Sequence, residues 1–360
     1  MEQLNAFFNR PVDQKMAARA AAMTETTPGL RRRDLAEKLE VSEAELVEAQ
    51  FGLRSVRLKP DFRELVQRMP ELGYVMSLTR NQYVVHERKG VYQNLRLNGP
   101  VGLVIADDRK IDLRIVFKYW AHGFAIEEDT PNGLRYSLQF FDQAGVAIQK
   151  IFMQPESEAE GWLNLMRDFI ADDQQQVLQW QPVTDLPEYI ADEQIDADKL
   201  RQDWQKMTDV HQLFGILKRH QISREQAFRV IGDENARPFD PAKLETVLHR
   251  ASEQQLPLMC FVGNHGNIQI HTGPVNQIKR MGPWLNVLDP EFNLHLLEEG
   301  VKSAWLVRKP TVDGVVTSLE CYGAESELLV QFFGVRQEGE AENLQWRALA
   351  ESVVEQEVAA

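Results

Sequence analysis

His211 has the right neighbours for metal chemistry. Thr208 and Asp209 read as helix caps, so His211 should stand one or two positions inside the helix that carries Leu213, Phe214 and Leu217 as its apolar stripe. The partial positive charge at a helix start disfavours an imidazolium, and a neutral imidazole is what iron or zinc binds. Thirteen residues later Arg224 opens a second helix behind Ser223, where Ser223 and Gln226 form an S-x-x-Q capping box. No H-E-x-x-H and no Cys/His/Asp cluster accompanies His211, so a bare zinc ion would be short of ligands.

The elements that must position these residues occur twice. Residues 132–141 (N-G-L-R-Y-S-L-Q-F-F) match 313–322 (D-G-V-V-T-S-L-E-C-Y), and 41–46 (V-S-E-A-E-L) match 222–227 (I-S-R-E-Q-A). Residues 110–115 match 291–296 at the same displacement of 181, while V-V-H at 84–86 matches Q-I-H at 269–271 with small indels between. Equal displacement at three distant places implies a duplicated domain. Each copy begins with helices: Ser42 and Glu45 repeat the capping box in the first. Strand-like runs with turn dipeptides follow, and a helix near 156–176 or 338–357 closes each copy. The N-G and D-G links imply antiparallel hairpins, so the fold class is α+β with an internal duplication. The expected domains are a helical extension at 1–24, a first repeat at 25–180, a connector at 181–207 and a second repeat at 208–360.

Composition limits the alternatives. The chain has 360 residues, 43% of them hydrophobic, and a formal net charge of −14. That supports a large core and argues against bulk binding to nucleic acid or anionic lipid. No apolar run reaches membrane-spanning length and the first residues lack a signal-peptide pattern, so a cytoplasmic protein without membrane insertion is expected. Cys260 and Cys321 lie in apolar contexts without metal-ligand spacing and read as buried reduced thiols.

The duplication makes each copy a control for the other. His211 faces Leu30, Arg224 faces Glu43, Gln331 faces Lys150, Arg336 faces Pro155, and Lys309 has no certain basic counterpart. The second copy therefore carries a histidine and several cations where the first has apolar, acidic or rigid residues. An iron that brings its own equatorial ligands needs only one or two from protein; haem is such a group, and its propionates favour arginine and lysine.

With D-V-H-Q-L-F-G-I-L-K-R-H-Q-I-S-R-E-Q-A, W-L-V-R-K-P-T-V-D-G-V-V-T-S-L-E and Q-F-F-G-V-R-Q-E-G-E, the chain resembles the bacterial haem-utilisation family of hemin-degrading factors over roughly residues 25–355. The resemblance implies a cytoplasmic protein that accepts imported haem, with an ABC haem importer and a haem oxygenase as partners, and passes it on or degrades it oxidatively with an electron donor or peroxide. It makes His211 the proximal iron ligand and Arg114 a distal-side arginine with a part in catalysis. Arg224, Lys309, Gln331 and Arg336 become haem-pocket residues, and His86 a position for a second haem. Phe333 stands where many relatives have tyrosine. A haem chaperone serving a separate oxygenase is the non-enzymatic alternative; a homodimer, the electron donor and the number of haems stay open. A DNA-binding regulator is a third reading, because residues 30–50 look like a helix-turn-helix, but Glu43, Glu45 and Glu48 oppose a groove contact. His265 and His271 lie near one strand without a carboxylate between them, and read as solvent-exposed or hydrogen-bonded strand residues rather than ligands.

Overall fold

The computed structural model describes residues 7–8, 12–131, 133–175, 178–182, 188–337 and 339–355. Most of the expected extension before residue 12, Asn132 of the first hairpin turn, residues 183–187 of the connector and the end of the closing helix lie outside the described residues. The elements are α1 (Gln14–Thr26), α2 (Arg32–Lys38), α3 (Glu43–Glu48), β1 (Arg54–Arg57), α4 (Phe62–Gln67), β2 (Gly73–Arg80), β3 (Val84–Val91), β4 (Leu95–Arg96), β5 (Gly102–Ile105), β6 (Asp112–Ile115), β7 (His122–Thr130), β8 (Gly133–Phe141), β9 (Ala147–Ser157) and α5 (Ala159–Phe169). They continue with α6 (Ala197–Gln205), α7 (Gln212–His220), α8 (Arg224–Val230), β10 (Ala236–Pro238), α9 (Lys243–Glu253), β11 (Leu258–Gly263), β12 (Asn267–Gly273), β13 (Ile278–Met281), β14 (Trp284–Leu288), β15 (Phe292–Leu297), β16 (Ser303–Thr311), β17 (Gly314–Tyr322), β18 (Leu328–Gly334) and α10 (Leu344–Glu355).

The chain forms two compact units, one from residues 1–80, 87–184 and 264–269, the other from 81–86, 185–263 and 270–360. Each unit thus takes in a short segment from the opposite half of the chain. The first unit holds the antiparallel strand order β1-β7-β8-β9-β2-β3 and the run β12-β6-β5-β4, with β3 and β12 contributing residues 87–91 and 267–269. The second holds β10-β16-β17-β18-β11-β12 and β3-β15-β14-β13. The two orders are the same order written twice, so the α+β duplication expected from the sequence is present.

Local chemistry explains why the copies fold alike. In both capping boxes the serine hydroxyl accepts from the N3 amide, Glu45 N at 3.2 Å and Gln226 N at 3.2 Å, while the N3 side chain accepts from the serine amide. Both long hairpins turn at a glycine with positive φ, +105° at Gly133 and +111° at Gly314, where a β-carbon would be strained. Thr130 and Thr311 each donate across that turn to the glycine carbonyl at 2.7 Å. Closing helices pack Trp162 and Trp346, each fully buried, against their sheets.

The core of the second unit gathers Leu258, Cys260, Leu306, Leu319, Cys321 and Phe332 with α9 and α10. Both cysteines are free and buried, as their apolar contexts implied. Strands β7 and β1 and helix α9 were not legible as separate elements in the sequence pattern, because β7 (H-G-F-A-I-E-E-D-T) alternates only in part. Among the described residues no helix is long and apolar enough to cross a membrane.

Candidate functional site

In the second unit, α6, α7 and α8 pack around Leu200, Trp204, Leu213, Ile216, Leu217 and Phe228. Helix α7 buries Leu213, Ile216 and Leu217. The expected apolar stripe differs at Phe214, which is 75% exposed. At 100° per residue the face through 213, 216 and 217 leaves 214 outside.

His211 is the N-cap of α7 rather than a residue inside it, with α-region dihedrals of φ −70° and ψ −19°. Its side chain is 90% exposed. Asp209 folds back on it: one carboxylate oxygen, Oδ1, accepts the His211 backbone N–H at 2.7 Å and meets ring Nδ1 at 2.6 Å. Those contacts, the backbone hydrogen bond first, hold the Asp209 carboxyl below the ordinary carboxylate range against the opposing effect of burial. The same Asp209 oxygen engages ring Nδ1, so Nε2 is the ring nitrogen left for a metal on a side chain open to solvent. The hairpin joining β16 to β17 lies against this corner: Val312 N donates to Thr208 O at 3.0 Å, and Val312 is 77% exposed. Arg336 reaches Asp313 of that hairpin at 4.0 Å and adds positive charge near Asp209.

The same unit holds a buried ionic cluster. Lys309, 2% exposed on β16, pairs with Glu320, 0% exposed on β17. Lys309 Nζ also donates to Ser318 Oγ at 2.8 Å, and Ser318 Oγ donates to Glu320 Oε1 at 2.8 Å. Tyr322 donates its hydroxyl to Glu320 Oε2 at 2.6 Å, and Arg224 Nη1 donates to the same oxygen at 3.4 Å. Burial opposes the charge on Glu320, yet Lys309 and Arg224 together outweigh it and hold the carboxyl down at about 2. Burial pulls Lys309 below the ordinary lysine value, with Glu320 working against that pull. Arg224 also loses hydration, but Glu320 and Tyr322 more than compensate and raise it. Gln331, 8% exposed, is the β18 register partner of Glu320. The ring of Phe333 lies 5.2 Å from Lys309 Nζ.

The structure therefore brings His211, Arg224, Lys309, Gln331 and Arg336 into one unit. Arg114 belongs to the other unit: it sits on β6, donates to Leu113 O at 3.1 Å and pairs with Asp112. Its assignment to the iron rests on the resemblance alone. His86 is 0% exposed, with its ring centroid 5.0 Å from that of Phe292, so it offers no ring edge to a second haem. Phe292 also stacks on His271 at 3.7 Å. His265 points at Asp142 at 2.9 Å, and no metal-holding group of three ligands occurs among the described residues.

The first unit shows what the same fold looks like without the histidine. Leu30 packs against the cluster of Ala20, Leu35, Ala36 and Leu46. Glu43 pairs with Lys150 in a buried bridge, each 8% exposed. Burial opposes both charges; the neighbouring cations, Lys150 first, still lower the Glu43 carboxyl to about 2, while Lys150 falls to about 8. Helix α3 buries Glu43, Ala44, Leu46 and Val47, and Glu45 caps Ser42. Four buried positions in a six-residue helix leave no face for a DNA groove, which removes structural support from the regulator reading.

Sequence reasoning missed Glu320 and Tyr322. The displacement of 181 pairs them with Gln139 and Phe141, so the repeat itself carried the signal. It treated Asp209 as a cap candidate and missed its contact with the imidazole.

Taken together, the fold and site define a duplicated α+β protein whose second copy carries an exposed, carboxylate-held imidazole and a buried ionic cluster. The family description "Haemin-degrading HemS.ChuX domain" matches residues 40–169 and 221–353. The chain belongs to that HemS family. It is 40% identical over 333 residues to the hemin transport protein HmuS of Yersinia pestis, covering 92% of this chain and 95% of the relative. It resembles holo-PhuS, described as a heme-binding protein from Pseudomonas aeruginosa, with a TM-score of 0.89, 43% identity and coverage of 94% and 98%. The Escherichia coli O157:H7 heme degrading enzyme ChuS matches with a TM-score of 0.87, 38% identity and coverage of 94% and 98%.

Proposed function

We propose that this chain binds haem as cargo through His211 and degrades it oxidatively when supplied with dioxygen and an electron donor, releasing the iron. The observation that carries the reading is the Asp209–His211 pair, with its Nδ1 held at 2.6 Å and the imidazole open to solvent. A carboxylate behind a metal-bound histidine raises its basicity and fixes its orientation. Phe214 and Val312 supply exposed apolar surface beside the imidazole, which suits a porphyrin face. Arg224 and Arg336 supply the charge that two propionates need. In this reading Lys309 and Gln331 act from behind, since both are buried. The haem iron supplies the oxidative chemistry; the protein's share is to hold the iron on one side and to orient the ring by its charged edge.

The oxidative step takes its support from the HemS family and from the likeness to the heme degrading enzyme ChuS. A carrier that hands haem to a separate oxygenase is the second reading, favoured by the 40% identity to the hemin transport protein HmuS. Accepting haem from an importer and working in the cytoplasm belong to the same proposal.

The binding test is an optical titration with haemin on the wild type and on His211→Ala. One equivalent should give a sharp Soret band that is shifted or weakened in the variant; an unchanged band in the variant overturns the assignment. The second test adds an electron donor in the presence of catalase. A ring-opened product and carbon monoxide support degradation, whereas intact haem that passes to an acceptor leaves the carrier.

A further inference from the structure

The second copy buries a carboxylate where the first copy buries an amide. Glu320 occupies the place of Gln139, Tyr322 that of Phe141, Lys309 that of Glu128 and Arg224 that of Glu43. Ser318 and Ser137 are the same in both, and in the first copy Gln139 Nε2 simply donates to Ser137 Oγ at 3.0 Å. The fold therefore tolerates a neutral group at this strand position. A buried carboxylate pays heavily in lost hydration, and an ion cluster is weak evidence for stability by comparison with neutral packing. Its geometry points elsewhere. Both oxygens of Glu320 are occupied, Oε1 by Lys309 and Ser318 and Oε2 by Tyr322 and Arg224.

Two cations, Lys309 and Arg224, pair with Glu320, and a second buried carboxylate, Glu225, also acts on Tyr322. Lys309 is enclosed, while the Arg224 side chain is 30% exposed. Arg224 is therefore the member of the cluster that reaches the surface, with its Nη1 on Glu320 at 3.4 Å. A guanidinium fixed in this way presents its remaining donors in a set direction, which suits a carboxylate arriving from outside.

We propose that Glu320 is a positioning residue for the carboxylate end of the ligand: it anchors Lys309 and Arg224 so that Arg224 presents its free edge to an incoming carboxylate. The inference rests on the haem reading, in which the propionates are that carboxylate end. It assigns Lys309 an indirect part, as a buried counter-charge that keeps Glu320 ionised. Tyr322 holds the second oxygen in line.

The experiment compares haemin with haemin dimethyl ester, whose propionates are uncharged, on the full-length protein. Loss of each porphyrin to an apo-globin scavenger is followed for wild type and Glu320→Gln. The variant should lose haemin about tenfold faster, and should lose the ester at the wild-type rate. An equal effect on both probes reduces Glu320 to a structural role and overturns the proposal, as does haemin retention that is unchanged or tighter. Tyr322→Phe keeps every charge and serves if Glu320→Gln fails to fold; a smaller acceleration, again confined to haemin, is expected, and none counts against the proposal. Wild type that binds neither probe overturns the haem reading as well. A His211-dependent Soret band with no difference between the probes sinks only the role of Glu320.

Discussion

Replacing Asp209 with alanine separates the imidazole from its carboxylate without touching the ligand itself. Asp209 does two jobs, accepting the His211 amide at 2.7 Å and meeting Nδ1 at 2.6 Å. Loss of a carboxylate behind a metal-bound histidine typically costs 10–100-fold in metal affinity, or roughly 1.4–2.7 kcal/mol. The Asp209 and His211 side chains are 53% and 90% exposed, so water screens the contact and the lower end applies. We therefore expect haemin affinity to fall about tenfold in Asp209→Ala. The lost amide contact adds a hydrogen-bond loss of about 1 kcal/mol in stability, which thermal unfolding reads separately. Asp209→Asn is the discriminating partner. It keeps an oxygen acceptor while removing the charge, so it should preserve most of the unfolding temperature and only part of the affinity. The assay is a haemin titration with the Soret position recorded for each variant. Wild-type affinity and spectrum in Asp209→Ala, with the fold intact, would refute the claim that this carboxylate orients the ring.

Other outcomes follow from the same geometry. Phe214→Ala should leave the unfolding temperature almost unchanged, because the ring is 75% exposed, and should weaken haemin binding by about tenfold; a stability loss without an affinity loss would contradict the assigned surface. In the first unit, Lys150→Met leaves Glu43 buried without its lysine and should destabilise by roughly 3–5 kcal/mol. The double variant Glu43→Met with Lys150→Met should recover most of that loss in a denaturant titration. Acid sensitivity follows from the depressed carboxyl of Glu43. Its folded value is about 2 against an ordinary 4.5, so its stabilising contribution is complete above about 4.5 and disappears as pH falls toward 2. Glu43→Gln should flatten the pH dependence of unfolding in that window, and an unchanged slope would show that the pair is not the source. Arg114→Ala tests the part given to it by resemblance: product formation should slow while the Soret band stays as in the wild type.

The sequence by itself determined whatever depends on local spacing. Capping boxes at Ser42 and Ser223, glycine hairpins at 133 and 314, and the duplication all follow from short-range chemistry that repeats wherever the residues repeat. His211 and Arg224 were legible for the same reason, since each marks a helix start and each differs from its counterpart in the first copy. Tertiary structure decided the rest. Whether Lys309 meets ligand or carboxylate depends on the pairing of β16 with β17, which sets its side chain beside Glu320 in a place water cannot reach. His86 looks like any strand histidine until packing encloses it against Phe292. Phe214 belongs to an apolar stripe on paper, yet the docking of α7 leaves it in solvent. Burial and charge pairing are sums over neighbours distant in the chain, so no window of sequence contains them, whereas a helix cap is complete within four residues.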